Sequence, residues 1–379
     1  MSKKTVDIIL FYSIFLYFPL FRINETSFYI GVIFFIIYLL VKFQSPGIRL
    51  STSNVIFFIC LNAINLISFI FGNQYDLNQF IISTLQINLS LIFLVAVMEM
   101  DFNISRKNFL VALMLPIYVG LIFFFLGMDD VMLFGRFSGF FGNPNYLGIY
   151  IVVVLPIIIF CSTGVPLFFR LSLLIAPLLL SVVLSGSFSQ VFLFMLFSLF
   201  SFGLVLWREK WRWFDLFQII VTASLLVIFS FSVLNYLNSF DNLVSIDRFY
   251  NFLTGENGSL GSINERSVLN KLAIDEIINS NDLYFMGNGY GMSRYSIPTL
   301  DGENLSPHNF FLASILDVGF AGTLVYFLII YTAFKNKINN AEGVIIFFAF
   351  VSSFFVTPYT YLLILIAPTV FYFSLMKRN

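Results

Sequence analysis

The chain is short of charge, of cysteine and of histidine, and each shortage closes off a class of protein. Only 11% of its 379 residues are charged, against roughly 25% in an average soluble domain. With 59% of residues hydrophobic, a globule could not keep a polar exterior, so lipid is the expected solvent. Basic and acidic residues balance at 20 each, and no basic block offers a footprint for nucleic acid. Cys60 and Cys161 fall in or at the end of apolar runs without metal-ligating company, which argues against a disulfide and against a metal site. No small-residue cleavage site follows the first apolar run, where Arg22 and Asn24 come instead. That run is expected to stay as a first helix rather than leave as a signal peptide.

What the chain has is apolar runs of about 15–20 residues, the length that crosses a hydrocarbon core as a helix. Twelve are expected: Thr5–Phe21, Phe28–Val41, Val55–Phe71, Phe80–Met98, Phe109–Leu126, Tyr146–Cys161, Leu171–Leu184, Val191–Leu206, Leu216–Asn235, His308–Phe334, Val344–Val356 and Tyr361–Met376. The fold class is therefore an all-α polytopic membrane protein, a single integral membrane domain over residues 1–379. Positively charged loops stay in the cytoplasm. With both termini inside, 14 of the 20 basic residues fall on that side. The outer side holds Arg22, Arg136, Arg248, Arg266, Lys271 and Arg294. Five of these six lie in two outer segments, Gly127–Asn145 and the long loop Tyr236–Pro307, the one stretch large enough for an extramembrane subdomain with short helices.

In the first outer segment, Gly135, Gly139 and Gly142 punctuate a turn-rich path around Arg136. Asn143-Pro144 reads as an N-cap followed by Pro at the first helical position, with the free N–H groups of the new helix facing outward. In the second, Ser262-Ile-Asn-Glu265 reads as a capping box. The helix it opens is expected to run to about Asn279, with Leu269, Leu272, Ala273 and Ile277 as its apolar stripe. Lys271 and Asp275 fall on the wet face. Arg266 lies on or beside the stripe, where an unpaired cation is costly. Gly287-Asn-Gly-Tyr-Gly291 has no strand before it and no P-loop lysine, so it reads as turn chemistry. Ser306-Pro307 reads as the cap and first position of the tenth span, which places His308 in its first turn. There the helix dipole favours a neutral imidazole, able to take a proton or orient a hydroxyl. Asp317, near the middle of that span, reads as a structural acid.

Arginines and helix N-termini both favour phosphate. A lipid-linked diphosphate sits at the depth where these outer groups would gather, and a base beside a diphosphate leaving group suggests glycosyl transfer from a lipid carrier.

The residues resemble the bacterial O-antigen ligase/polymerase superfamily of polytopic glycosyltransferases. The resemblance is carried by Gly135-Arg136-Phe-Ser-Gly139 with Asn143-Pro144-Asn145, by the Arg266 helix leading to Gly287-Asn-Gly289, and by His308-Asn309-Phe-Phe-Leu312 with Asp317-Val-Gly319. It spans roughly Phe134–Tyr331. It implies an enzyme of the bacterial inner membrane that takes a glycan from undecaprenyl diphosphate and passes it to a sugar hydroxyl of an acceptor glycan outside the cytoplasm, with no cofactor or metal. The implied catalytic residues are His308 and Arg266. Arg136, Asn143, Asn145 and Asn309 are the implied donor and glycan ligands, and Arg136, Arg248 or Arg294 are candidates to serve in place of a family arginine that this chain lacks. A chain-length regulator is a possible partner by the same resemblance. One departure stands out: many relatives carry an arginine after the seventh span, where this chain has Ser185-Gly-Ser-Phe188-Ser-Gln190. Repeat-unit polymerase is the favoured reading. A ligase that moves the finished glycan to lipid A–core, or a flippase, are the alternatives.

Overall fold

In a computed structural model the chain is mostly helical. The structure describes residues 22–23, 26–29, 37, 52–72, 76–99, 104–128, 131–133, 135–209, 261–279, 286–293, 307, 309–335, 338–354 and 362–376. Two short strands, β1 (Arg22–Ile23) and β2 (Thr26–Tyr29), pair antiparallel. Ten helices follow among the described residues. They are α1 (Thr52–Phe71), α2 (Leu77–Glu99), α3 (Arg106–Phe125), α4 (Pro144–Cys161), α5 (Leu167–Leu184), α6 (Phe188–Glu209), α7 (Gly261–Asn279), α8 (Phe310–Phe334), α9 (Ala341–Ser353) and α10 (Leu362–Met376). A hairpin of β3 (Met132–Leu133) and β4 (Arg136–Phe137) lies between α3 and α4.

Seven helices, α1 to α6 and α8, are long and apolar enough to cross a membrane. Each coincides with an expected span. The Leu171–Leu184 run is part of one continuous helix, α5, whose Arg170–Ile175 stretch is π-helical. The expected Val344–Val356 span is represented by α9, whose 13 residues make about 20 Å at 1.5 Å per residue, short of a core of about 30 Å. The last is represented by α10, of 15 residues. The span expected from Phe28 does not begin as a helix. Thr26, Ser27, Phe28 and Tyr29 form β2 instead, as suits β-branched and aromatic residues. Thr5–Phe21 and Leu216–Asn235 lie outside the described residues.

The chain divides into two compact units. One comprises Met1–Gly47, Phe102–Ser259 and Val344–Ala349, the other Ile48–Asp101, Leu260–Gly343 and Phe350–Asn379. In the first, α4 is the central helix, buried along nearly its whole length, with α3, α5 and α6 packed on it. Its Tyr150 hydroxyl donates to the Leu113 carbonyl at 2.9 Å, in the turn of α3 that precedes Pro116. The Tyr118 hydroxyl donates to the Leu173 carbonyl in the π-helical turn. Side-chain donors thus tie α3 to the backbone of α5 and α4 to that of α3.

In the second unit α1 packs on α8, α2 on α10 and α7 on α8. Polar pairs join the spans: Thr332 to Asn54 at 2.7 Å, Asn88 to Asn62 at 2.7 Å and Asn65 to Thr84 at 3.0 Å. Such contacts tie helices where hydrophobicity cannot. The most constrained feature is a break in α8 at Gly319, with φ 67° and ψ −179°, a conformation open to glycine and strained for other residues. The break loosens the carbonyls just ahead of it. Those of Leu316 and Asp317 accept N–H bonds from Asn288 (2.9 Å) and Gly289 (2.6 Å). The fully buried Asp317 carboxylate accepts two more, from the N–H groups of Gly291 (2.9 Å) and Ser293 (2.5 Å). Asn65 of α1 accepts from the Tyr290 N–H at 2.9 Å. The glycines permit this approach: a Cβ on Gly287 would lie 2.2 Å from the Asp317 carbonyl carbon, and one on Gly291 would lie 2.3 Å from Ser83 Oγ. The segment expected to be turn chemistry is thus a strap bound into the helices, and Asp317 is its buckle.

Gly287→Ala should cost about 3 kcal/mol or more, because backbone rather than a flexible side chain must move. The measurement is the melting temperature of the purified protein in detergent. Gly203→Ala, where an added Cβ meets nothing within 4 Å, is the control and should melt like the parent. Equal melting of both variants would mean that the strap is not seated on α8.

Candidate functional site

Two groups of expected site residues are described, one in each unit. In the first unit, β3 and β4 turn at Gly135, with φ 68°, and Ser138 closes the hairpin on the Val131 carbonyl at 2.9 Å. This places Arg136 at the end of α5. Its Nε–H donates to the Ser185 carbonyl at 2.8 Å, and its Nη2 reaches Asn145 Oδ1 at 3.4 Å. Asn143 is the N-cap of α4 and Pro144 its first residue, as expected. The Ser187 hydroxyl also donates to Asn145 Oδ1, at 3.0 Å. Gln190 Oε1 accepts from Ser187 and, at 2.9 Å, from Ser189. Gln190 is fully buried. Gly148 of α4 makes its room, since a Cβ there would lie 2.8 Å from Gln190 Cγ.

Arg136, Asn143 and Asn145 therefore come together. So do Ser185, Ser187 and Gln190, which the sequence reading noted only as the place where an arginine of relatives is missing. The guanidinium of Arg136 meets that stretch from the hairpin instead. The signal was a density of small hydroxyl residues around one glutamine at the mouth of two apolar helices, a costly choice unless those groups meet polar partners.

In the second unit the start of α8 differs from expectation. Its N-cap is Asn309, not Ser306, and the helix begins at Phe310. The Asn309 side chain accepts from Phe311 N–H (2.9 Å) and Leu312 N–H (3.3 Å). A carboxamide oxygen that serves two amides suits a cap well. His308 thus precedes the helix in the chain instead of lying in its first turn, and the dipole argument for its neutral state loses its placement. Helix α7 begins at Gly261, one residue ahead of the expected cap Ser262. Its stripe is as expected: Leu269, Ala273 and Ile277 are buried against Leu316, with Leu272, Leu312 and Ile315 beside them. Lys271 and Asp275 are exposed. Arg248, Arg294, His308 and the side chain of Arg266 lie outside the described residues.

Neither helix start leaves its first amides open to an anion, contrary to expectation. At α4 Pro144 has no N–H, Asn145 N–H goes to Asn143 Oδ1 at 2.8 Å, and those of Tyr146 and Leu147 go to the Asn143 carbonyl at 3.1 and 3.2 Å. At α8 Phe310 N–H donates to the Phe354 carbonyl at 2.8 Å, ahead of the two amides held by Asn309. Anion affinity at either place therefore has to come from side chains. Within the strap, burial above all, then Tyr326 and the Asp317 carboxylate, hold the Tyr290 phenol well above its ordinary pKa, so Tyr290 is a neutral packing group at physiological pH. No protein-family model, curated protein or solved structure matches the chain.

Asn309→Ala should destabilise the protein by about 1 kcal/mol through loss of the cap, read from thermal melting in detergent. Asn309→Asp keeps an acceptor oxygen for both amides and should melt like the parent. If Asn309→Asp falls as far as Asn309→Ala, capping is not what this side chain contributes.

Proposed function

We propose that the chain is a lipid-carrier-dependent glycosyltransferase, a repeat-unit polymerase of the O-antigen ligase/polymerase type. In this reading twelve spans carry both termini in the cytoplasm of a bacterial inner membrane, and the reacting groups face outward. The donor is a glycan on undecaprenyl diphosphate. His308 takes the proton of an acceptor sugar hydroxyl as its oxygen bonds to the donor's anomeric carbon. The bond from that carbon to the diphosphate breaks, and undecaprenyl diphosphate leaves with its new negative charge beside Arg266. Arg136, Arg248 and Arg294 add charge for the donor, while Asn143, Asn145 and Asn309 shape the glycan's surroundings.

The observation that carries this reading is the packing of α7 on the first turns of α8. Position 266 lies three residues before Leu269 and seven before Ala273, which by helical spacing puts it on or beside the stripe of α7. Position 308 lies two residues before α8. The helix that bears one implied catalytic residue is therefore packed on the helix that begins two residues after the other. The strap on Asp317 ties the segment between them to the same stretch of α8. The gathering of Arg136 with Asn145 gives independent support, since both belong to the motif that carries the resemblance.

His308→Ala and Arg266→Ala should each abolish chain growth on purified lipid-linked repeat units in proteoliposomes, a loss of at least about a hundredfold for a removed acid–base group, with membrane insertion unchanged. Near-normal chain growth in both would end the assignment. Passage of lipid-linked glycan across the bilayer without growth would make the protein a flippase.

A further inference from the structure

A carbohydrate has a distinctive demand: each hydroxyl both donates and accepts, so its sites are built from groups that do the same, carboxamides and hydroxyls, with arginine for paired acceptors. One place in the first unit has that composition. Arg136, which holds the Ser185 carbonyl, Asn145, Ser187, Gln190 and Ser189 are linked there in one chain of hydrogen bonds.

The cluster is unfinished at one atom. Gln190 is fully buried, yet its Nε2 has no hydrogen-bond partner, while its Oε1 is shared by two serines. A buried carboxamide N–H₂ without an acceptor costs on the order of 1–3 kcal/mol, and leucine of similar volume would avoid that cost. Ser189 next to it in the chain is exposed, and Arg136 and Asn145, which reach it through Ser187, are half-buried. Gly148 is the cut in α4 that lets it lie there.

We infer that Gln190, with Arg136 and Asn145, forms a sugar-binding subsite in which a glycan hydroxyl completes the Gln190 carboxamide. The inference rests on the glycosyl-transfer reading and assigns the sugar, rather than the diphosphate, to this place. A hydroxyl accepts from Nε2, and it serves the carboxamide equally well in the other orientation, with oxygen outward. A phosphate, which only accepts, serves one orientation.

The test uses the full chain in detergent and, as probe, oligosaccharide repeat units released by mild acid from the surface polysaccharide of the source cells, free of lipid and phosphate. Binding is read by saturation-transfer NMR, and chain growth on lipid-linked units is read from the same preparations. The expected result is that Gln190→Leu binds the oligosaccharide at least tenfold more weakly while it melts at the same temperature or higher. Loss of a group with a purely structural role would lower melting instead. Ser189→Ala, an exposed change that leaves the fold intact, should weaken binding about threefold and decides the matter if Gln190→Leu does not fold. Equal binding by parent and both variants would overturn the inference and leave a buried water as the amide's partner. Chain growth by the parent without any binding of free oligosaccharide would overturn the inference alone. Neither growth nor binding would bring down the glycosyl-transfer reading with it.

Discussion

A carboxylate among apolar helices is tolerable only where donors surround it, and in this chain the donors come from the backbone of a distant segment. Asp317 receives the N–H groups of Gly291 and Ser293, and the carbonyls next to it receive those of Asn288 and Gly289. Four peptide groups that would be stranded away from water are satisfied at once, by a helix that breaks at Gly319 to offer its own carbonyls. The rest of the second unit arranges itself around this exchange. Helix α1 contributes Asn65 to the Tyr290 amide, and α2 contributes Ser83 under Gly291. The first turns of α8, fixed in this way, are the surface on which the stripe of α7 lies.

The same constraint gives the candidate site its character. Because the first amides of α4 and α8 are already bonded within the fold, the proposed function asks side chains, arginines for charge and carboxamides and hydroxyls for hydrogen bonds, to meet its substrate. The first unit gathers an arginine, two asparagines, a glutamine and serines where a hairpin meets the ends of two spans. The second places the helix preceding the strap against the helix that follows position 308.

Much of this could be read from the residues alone, and the parts that could not share a physical cause. Apolar length decides where a helix can cross lipid, so α1 to α6 and α8 fall where the hydropathy puts them. The spacing of Leu269, Ala273 and Ile277 decides which face of α7 is buried. The cap Asn143 was legible because Pro144 follows it and fixes the helix start. At α8 the same logic selected Ser306 before Pro307. Asn309 won because its longer carboxamide reaches two amides at once, a competition in space that a local pattern cannot rank. The strap was harder still. Gly287-Asn-Gly-Tyr-Gly291 has the look of an ordinary turn, and its partners lie more than twenty residues later in α8 and more than two hundred earlier in α1. Gln190 was visible as an oddity, but its neighbours Arg136 and Asn145 are supplied by tertiary contact.

The strap also sets a chronology for biogenesis. Residues 287–293 leave the ribosome before α8 does, yet the groups that bond their amides sit on α8 at Leu316 and Asp317. Until that span arrives, these peptides have to keep their hydration, and on α1 the Asn65 carboxamide oxygen has to wait for the Tyr290 amide. Closure of the second unit is therefore a late, post-insertion event that joins residues far apart along the chain, the kind of contact that forms slowly. The carboxylate enters the bilayer region inside a helix whose acceptors are satisfied only when the earlier segment folds back to meet it.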